Sequence, residues 1–138
     1  MLAMNPGNPV SYGFEFEREI ATMLIKLGFH IEKPKRCNYD LNAGGLRIQC
    51  KATKRFNSLT LRTGHNMPVR RGSFDILAVK TYRGICLIPE AHIPNHARRS
   101  GYLRYHLPLG FCHNYLEAWD VLSTDSGDFG NEQQRLFT

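Results

Sequence analysis

The sequence predicts an α/β fold, a helix followed by a β-rich stretch, and three observations carry that prediction. A helical apolar period runs from Gly13 to Phe29, two alternating runs flank Gly44-Gly45, and the apolar segments FDILAVK and GICLIP stand on either side of a short turn. At 138 residues the chain fits one domain with a real hydrophobic core, 42% of its residues being hydrophobic and 22% charged. No apolar run approaches the roughly 18 residues of a membrane span. The start, MLAMNPGNPV, lacks a basic segment followed by an apolar one, so an intracellular location is expected. The net charge of +6, from 18 Lys and Arg against 12 Asp and Glu, favours a polyanionic partner, of which nucleic acid is the commonest. Cys37, Cys50, Cys86 and Cys112 are scattered without a CxxC pair and read as reduced, mostly buried thiols.

Residues 1–12, with Pro6 and Pro9, read as an N-terminal arm; 13–123 form the domain, and 124–138 a polar, flexible tail. Helical periodicity begins after Ser11, a suitable N-cap, and stops near Gly28. Phe16, Ile20, Met23, Leu24 and Leu27 form one apolar arc, with Glu15, Arg18, Glu19, Thr22 and Lys26 opposite. Glu17 breaks the pattern: it lies three residues before Ile20 and seven before Leu24, at the edge of the buried face. A carboxylate there needs a cation, a hydrogen-bond donor or a metal, and a salt bridge to a Lys or Arg at the core edge would satisfy it without chemistry.

A short strand, Phe29 to Glu32, leads through the basic segment KPKRC into the hairpin NYDLNAGGLRIQCKAT. Gly-Gly supplies the positive φ angles of a two-residue primed turn, so Ala43 faces Leu46, Leu41 faces Ile48, Asp40 faces Gln49 and Tyr39 faces Cys50. One face then carries Tyr39, Leu41, Ala43, Leu46, Ile48, Cys50 and Ala52, and the other Asn38, Asp40, Asn42, Arg47, Gln49 and Lys51. That polar face is either a solvated surface or a site. Ser58 to Thr63 is expected to continue the meander as a third or edge strand, and the FDILAVK–GICLIP pair to occupy the middle of the sheet. Asp75 at its mouth reads as a strand cap or salt bridge. Arg98, Arg99 and Arg104 alternate with Tyr102 and Tyr105, a pattern suited to phosphate and base contacts. Asn114 to Leu122 reads as a closing helix that buries Tyr115, Trp119 and Leu122.

Glu17, Asp40, Gln49 and Lys51 are candidates for a single cluster. Three oxygen-bearing side chains suit a hard cation such as magnesium, and Lys51 on the same face can orient or deprotonate a water and stabilise charge on a phosphate oxygen. Phosphodiester hydrolysis needs these parts.

The order of a helix carboxylate, then Asp, then a strand ending Gln-Cys-Lys resembles the PD-(D/E)XK nuclease superfamily, the restriction-endonuclease-like fold. GFEFE, YDL, RIQCKAT and FDILAV followed by LIP are similar to a small group within it that includes an intron-encoded homing endonuclease with glutamine in the variable acidic position; the match spans Gly13 to Pro89. The resemblance implies an α-β-β-β-α-β core with a mixed central sheet flanked by helices, although the crossover helix after the third strand is poorly signalled. It implies Asp40 as central metal ligand, Glu17 as helix ligand, Gln49 in the D/E position, Lys51 in the lysine position and the Cys50 backbone carbonyl completing the shell. The implied cofactor is Mg2+, with Mn2+ as a substitute. Tyr39 stands where relatives have proline, and neutral Gln49 removes one negative charge from the site.

The implied function is a metal-dependent DNA endonuclease for homing, mobile-element or restriction-like duplex cleavage. The alternatives are a Holliday junction resolvase on the same fold and a catalytically inactive DNA-binding module. DNA would run along Lys35, Arg36, Lys54, Arg55, Arg70, Arg71, Arg98 and Arg99, and a homodimer or homotetramer would supply a second site for double-strand cleavage. The tail's Gln133, Leu136 and Phe137 resemble the Q-x-x-L-F pentapeptide that docks on bacterial sliding clamps, which makes the clamp a second expected partner.

Overall fold

Proline at the first position of a helix is preorganised for it, and helix α1 (Pro9–Lys26) starts on Pro9, taking in four residues expected in the arm. The computed structural model describes residues 9–34, 39–63 and 65–124. Helix α1 ends in a Schellman motif: Gly28, at φ 97°, donates to the Ile25 carbonyl (2.9 Å) and Phe29 to that of Leu24 (3.0 Å). Phe16, Ile20 and Leu24 are buried, but Leu27 is 55% exposed, because the motif turns the chain just where Leu27 would have extended the arc.

Strand β1 (Ile31–Glu32), β2 (Leu41–Ala43), β3 (Leu46–Ala52), β5 (Ile76–Thr81) and β6 (Gly84–Pro89) form one sheet in the order β1-β2-β3-β5-β6. All neighbours are antiparallel except β3 and β5, which are parallel, so the sheet is mixed. The hairpin has the expected register, Leu41 with Ile48 and Ala43 with Leu46, and both turn glycines have positive φ (58° and 101°). Strand β4 (Ser58–Thr60) departs from expectation. It leaves the meander and pairs antiparallel with β7 (His106–Pro108) in a separate two-stranded sheet. Among the described residues, the crossover between the parallel strands β3 and β5 is this strand and a long loop, where the family resemblance implies a helix.

Two apolar layers result. Helix α1 packs on Leu41, Ala43, Ile48, Ile76, Ala78 and Leu87 of one face. The other face of β5 and β6 (Leu77, Val79, Cys86, Ile88) is covered by Leu59, Leu61, Phe74, Leu103 and Leu107. Strand β5 is therefore buried on both sides, as its unbroken apolar run requires. Strand β6 is the last of the sheet rather than a central strand; the Cys86–Leu116 bridge covers its outer edge. The expected closing helix from Asn114 to Leu122 does not form: a short α2 (Leu109–Cys112) precedes it, a 3₁₀ turn at His113–Tyr115 and α3 (Val121–Thr124) overlap its two ends, and Glu117 between them has a positive φ of 52°. Of its three expected core residues only Leu122 is buried; Tyr115 and Trp119 are partly exposed. Cys50, Cys86 and Cys112 are buried free thiols, and burial pushes Cys86 up to about 11 and Cys112 up to about 12. Cys37 lies outside the described residues.

Candidate active site

The β2–β3 ladder stops at Leu41, one residue short of Asp40. The backbone N–H of Asp40 donates to the Ile48 carbonyl (2.9 Å) instead of pairing with Gln49, so the chain swings out of register. Two consequences follow. Tyr39 leaves the face expected for it and packs against the layer on the opposite side of the sheet. The Asp40 carboxylate takes the place of the missing strand: Oδ2 accepts from the backbone N–H of Cys50 (2.9 Å) and from Gln49 Nε2 (3.0 Å). In an extended strand the N–H and C=O of one residue leave on the same edge, so the Cys50 carbonyl shares the edge that Asp40 occupies.

Lys51, two residues further along β3, donates from Nζ to the Arg62 carbonyl (3.0 Å). Asp40, Gln49 and Lys51 line one cleft of about 500 Å³, roofed by Arg62, Arg70 and Tyr102. Burial raises the pKa of Asp40 above the ordinary carboxylate value; the Cys50 N–H opposes the rise, the Glu17 charge adds to it, and Lys51 and Lys33 oppose it. Burial likewise lowers the pKa of Lys51, against the attraction of Asp40. Both groups are thus held with their charged forms destabilised. Titratable groups shifted by burial and by a specific charge partner, together in a cleft, mark a candidate functional site.

Glu17 reaches this cluster through its field. Its Oε1 accepts from Lys33 Nζ (3.0 Å), the salt bridge that the helix pattern left open, and it stands close enough to raise the pKa of Asp40. Lys33 was not picked out from the sequence, where only the basic run around it gave a signal; neither was the Arg62 carbonyl, which no side-chain pattern reveals. Among the described residues no group of three or more His, Cys, Asp or Glu is placed to hold a metal, so a cation at this site would rely on two carboxylates and neutral oxygens.

The cationic residues divide. Arg70 and Arg99 both stack on the Tyr102 ring, at 5.0 and 4.3 Å from its centroid, and Arg70 also donates to the Tyr102 hydroxyl (3.0 Å). Arg98, Arg55 and Lys54 are exposed. Arg71 is tied into the fold: its guanidinium donates to Glu90 Oε1 (3.0 Å), Asn95 Oδ1 (3.0 Å) and the carbonyls of Glu90 and Ile93. Asp75 is likewise structural, in an ion pair with Arg47 (3.0 Å). Lys35, Arg36, Gln133, Leu136 and Phe137 lie outside the described residues. No described helix is long and apolar enough to cross a membrane.

No family model and no curated protein matches the sequence. Solved structures do. A bacterial homing endonuclease, I-Ssp6803I, superposes with a TM-score of 0.63 at 20% identity, over 92% of this chain and 100% of that one. The Holliday junction resolvase Hjc of the archaeal hyperthermophile Archaeoglobus fulgidus superposes with a TM-score of 0.56 at 21% identity, over 81% of this chain and 96% of that one. At these identities the likeness shows the fold, and this chain shares the restriction-endonuclease-like fold of both neighbours.

Proposed function

We propose that this chain is a metal-dependent DNA endonuclease that cuts duplex DNA. One observation carries the reading: Asp40, held by Gln49 and the Cys50 N–H, shares a cleft with Lys51, and both have their charged forms destabilised. The donors suit a hard divalent cation, Mg2+ or Mn2+. Asp40 and Glu17 would hold it together with the Gln49 amide oxygen and the Cys50 carbonyl, and a cation would relieve the repulsion between the two carboxylates. Such a cation would lower the pKa of a bound water and shield the charge of the phosphate. Lys51 gives up its proton more readily than an ordinary lysine, so it accepts a proton from the attacking water or donates to a non-bridging phosphate oxygen. Arg70 and Arg99, fixed against Tyr102, position the backbone, and Arg55, Lys54 and Arg98 extend the basic surface. One chain offers one such cleft, so cutting both strands takes two copies.

The two neighbours, a homing endonuclease and a Holliday junction resolvase, support a nuclease of this fold equally, and the substrate distinguishes duplex cleavage from junction resolution. The test is to incubate the purified protein with Mg2+ or Mn2+ on supercoiled plasmid, linear duplex and a four-way junction, beside Asp40→Ala and Lys51→Ala. Cleavage of plasmid or duplex that both variants lose is the expected result. Symmetric nicks confined to junctions would replace this reading with the resolvase, and salt-dependent binding without any cutting would replace it with a binding module.

A further inference from the structure

Three rings that this chemistry does not use stand at the far end of β3 and β5. Phe56 follows β3, Tyr82 sits in the β5–β6 turn, and His113 opens the 3₁₀ turn after α2. Phe56 and Tyr82 meet edge to face, with centroids 5.0 Å apart and planes at 64°; Tyr82 and His113 do the same at 5.5 Å and 82°. The ladder is anchored, since His113 Nε2 lies 3.1 Å from Thr81 Oγ1. Its outer rings are nonetheless open to solvent, Phe56 at 73% and Tyr82 at 56%. A single exposed aromatic residue needs no explanation, but linked rings held on an anchored turn do.

The surroundings select the ligand. Arg55 and Arg83, the chain neighbours of Phe56 and Tyr82, are exposed beside the ladder, and burial, then the nearby Arg83 charge, lowers the pKa of His113. An apolar protein surface would meet these cations unmatched. A strand with unpaired bases offers flat rings for the ladder and phosphates for the arginines. We propose that Phe56, Tyr82 and His113 form a stacking platform for an unpaired nucleobase, with Arg55 and Arg83 on the adjoining phosphates. Lys51 is in register with Val79, and Tyr82 lies three residues beyond it, about 10 Å along the strand and about three base steps of DNA. The distance to the cut rests on the nuclease reading; base stacking does not.

The test uses the full chain in EDTA, where no divalent ion supports cleavage, with a labelled oligothymidylate and a blunt duplex of equal length. Replacing Phe56 and Tyr82 together by alanine should weaken oligothymidylate binding about ten-fold or more and duplex binding by less than about two-fold. Phe56→Leu, which keeps the apolar area and loses the ring, should behave as alanine does. Equal losses on both probes, no loss on either, or wild-type binding by Phe56→Leu would each overturn the platform. So would a fall in solution mass on alanine replacement, which would make the ladder an interface between copies. Because these substituted side chains are exposed, an unchanged melting temperature should accompany every variant. If selectivity for the single strand is intact but Mg2+ supports no cutting, the nuclease reading fails and the platform stands.

Discussion

Arg47 and Lys51 stand on the same face of β3, four residues apart, yet they meet opposite fates. Arg47 finds its complement. Its Nη2 and Nε bind both oxygens of Asp75 (3.0 and 3.2 Å), Nη1 binds the Gly72 carbonyl (2.9 Å), its backbone N–H also reaches Asp75, and its pKa is raised chiefly by that carboxylate. Among the described residues Lys51 has no carboxylate at ion-pairing distance; it has the Arg62 carbonyl and a lowered pKa. The cleft beside Arg47, at about 780 Å³, is larger than the one beside Lys51. Size therefore does not mark the chemistry. Charges matched inside the fold build structure, and charges left to be matched by something else build a site.

The comparison breaks most sharply at Asp40. Asp40→Asn should lower cleavage by about 10²–10⁴-fold, read as plasmid nicking in Mg2+, and Lys51→Met should do the same. The metal-free protein should respond in the opposite sense. Asp40 has a folded pKa above its unfolded value, so its contribution to stability is full below the unfolded pKa and is lost as pH rises through the folded one. At neutral pH in EDTA, Asp40→Asn should then melt at or above wild type, with the difference closing under acid. A variant both inactive and less stable at neutral pH would contradict the picture of a destabilised site.

Asp75→Ala should do the reverse. Removing the partner of Arg47 should cost about 1–2 kcal/mol in urea denaturation, a figure reduced because both side chains are about a third exposed, while cutting per folded molecule persists. Loss of cutting without loss of stability would place Asp75 in the site. The smallest effect is at Gln49. Gln49→Glu adds a carboxylate beside Asp40 and should destabilise the metal-free protein by roughly 0.2–1 kcal/mol. Added Mg2+ should then raise its melting temperature more than that of wild type. An identical response would mean that position 49 does not face the metal.

Sequence alone was enough where the governing physics is local. Gly44-Gly45 sets a primed turn, the turn sets the register of Leu41 with Ile48, and alternation puts Gln49 and Lys51 on one face. The spacing of Phe16, Ile20 and Leu24 set the buried side of α1, and the displaced Glu17 announced its need for a partner. Only the tertiary structure decided what each polar group meets, because those partners are distant in the chain. Asp75, 28 residues beyond Arg47, turns that residue into scaffold, and Glu90, 19 beyond Arg71, pairs with the Arg71 guanidinium. The pairing of β4 with β7 and the swing of Tyr39 to the other face have the same origin: alternation assigns a face, but which strand ends first and what packs over it are settled by long-range packing. The candidate site lies where local pattern and distant partners fail to cancel: alternation puts Gln49 and Lys51 on one face, while the Arg62 carbonyl that Lys51 meets, 11 residues further on, is brought there by the fold.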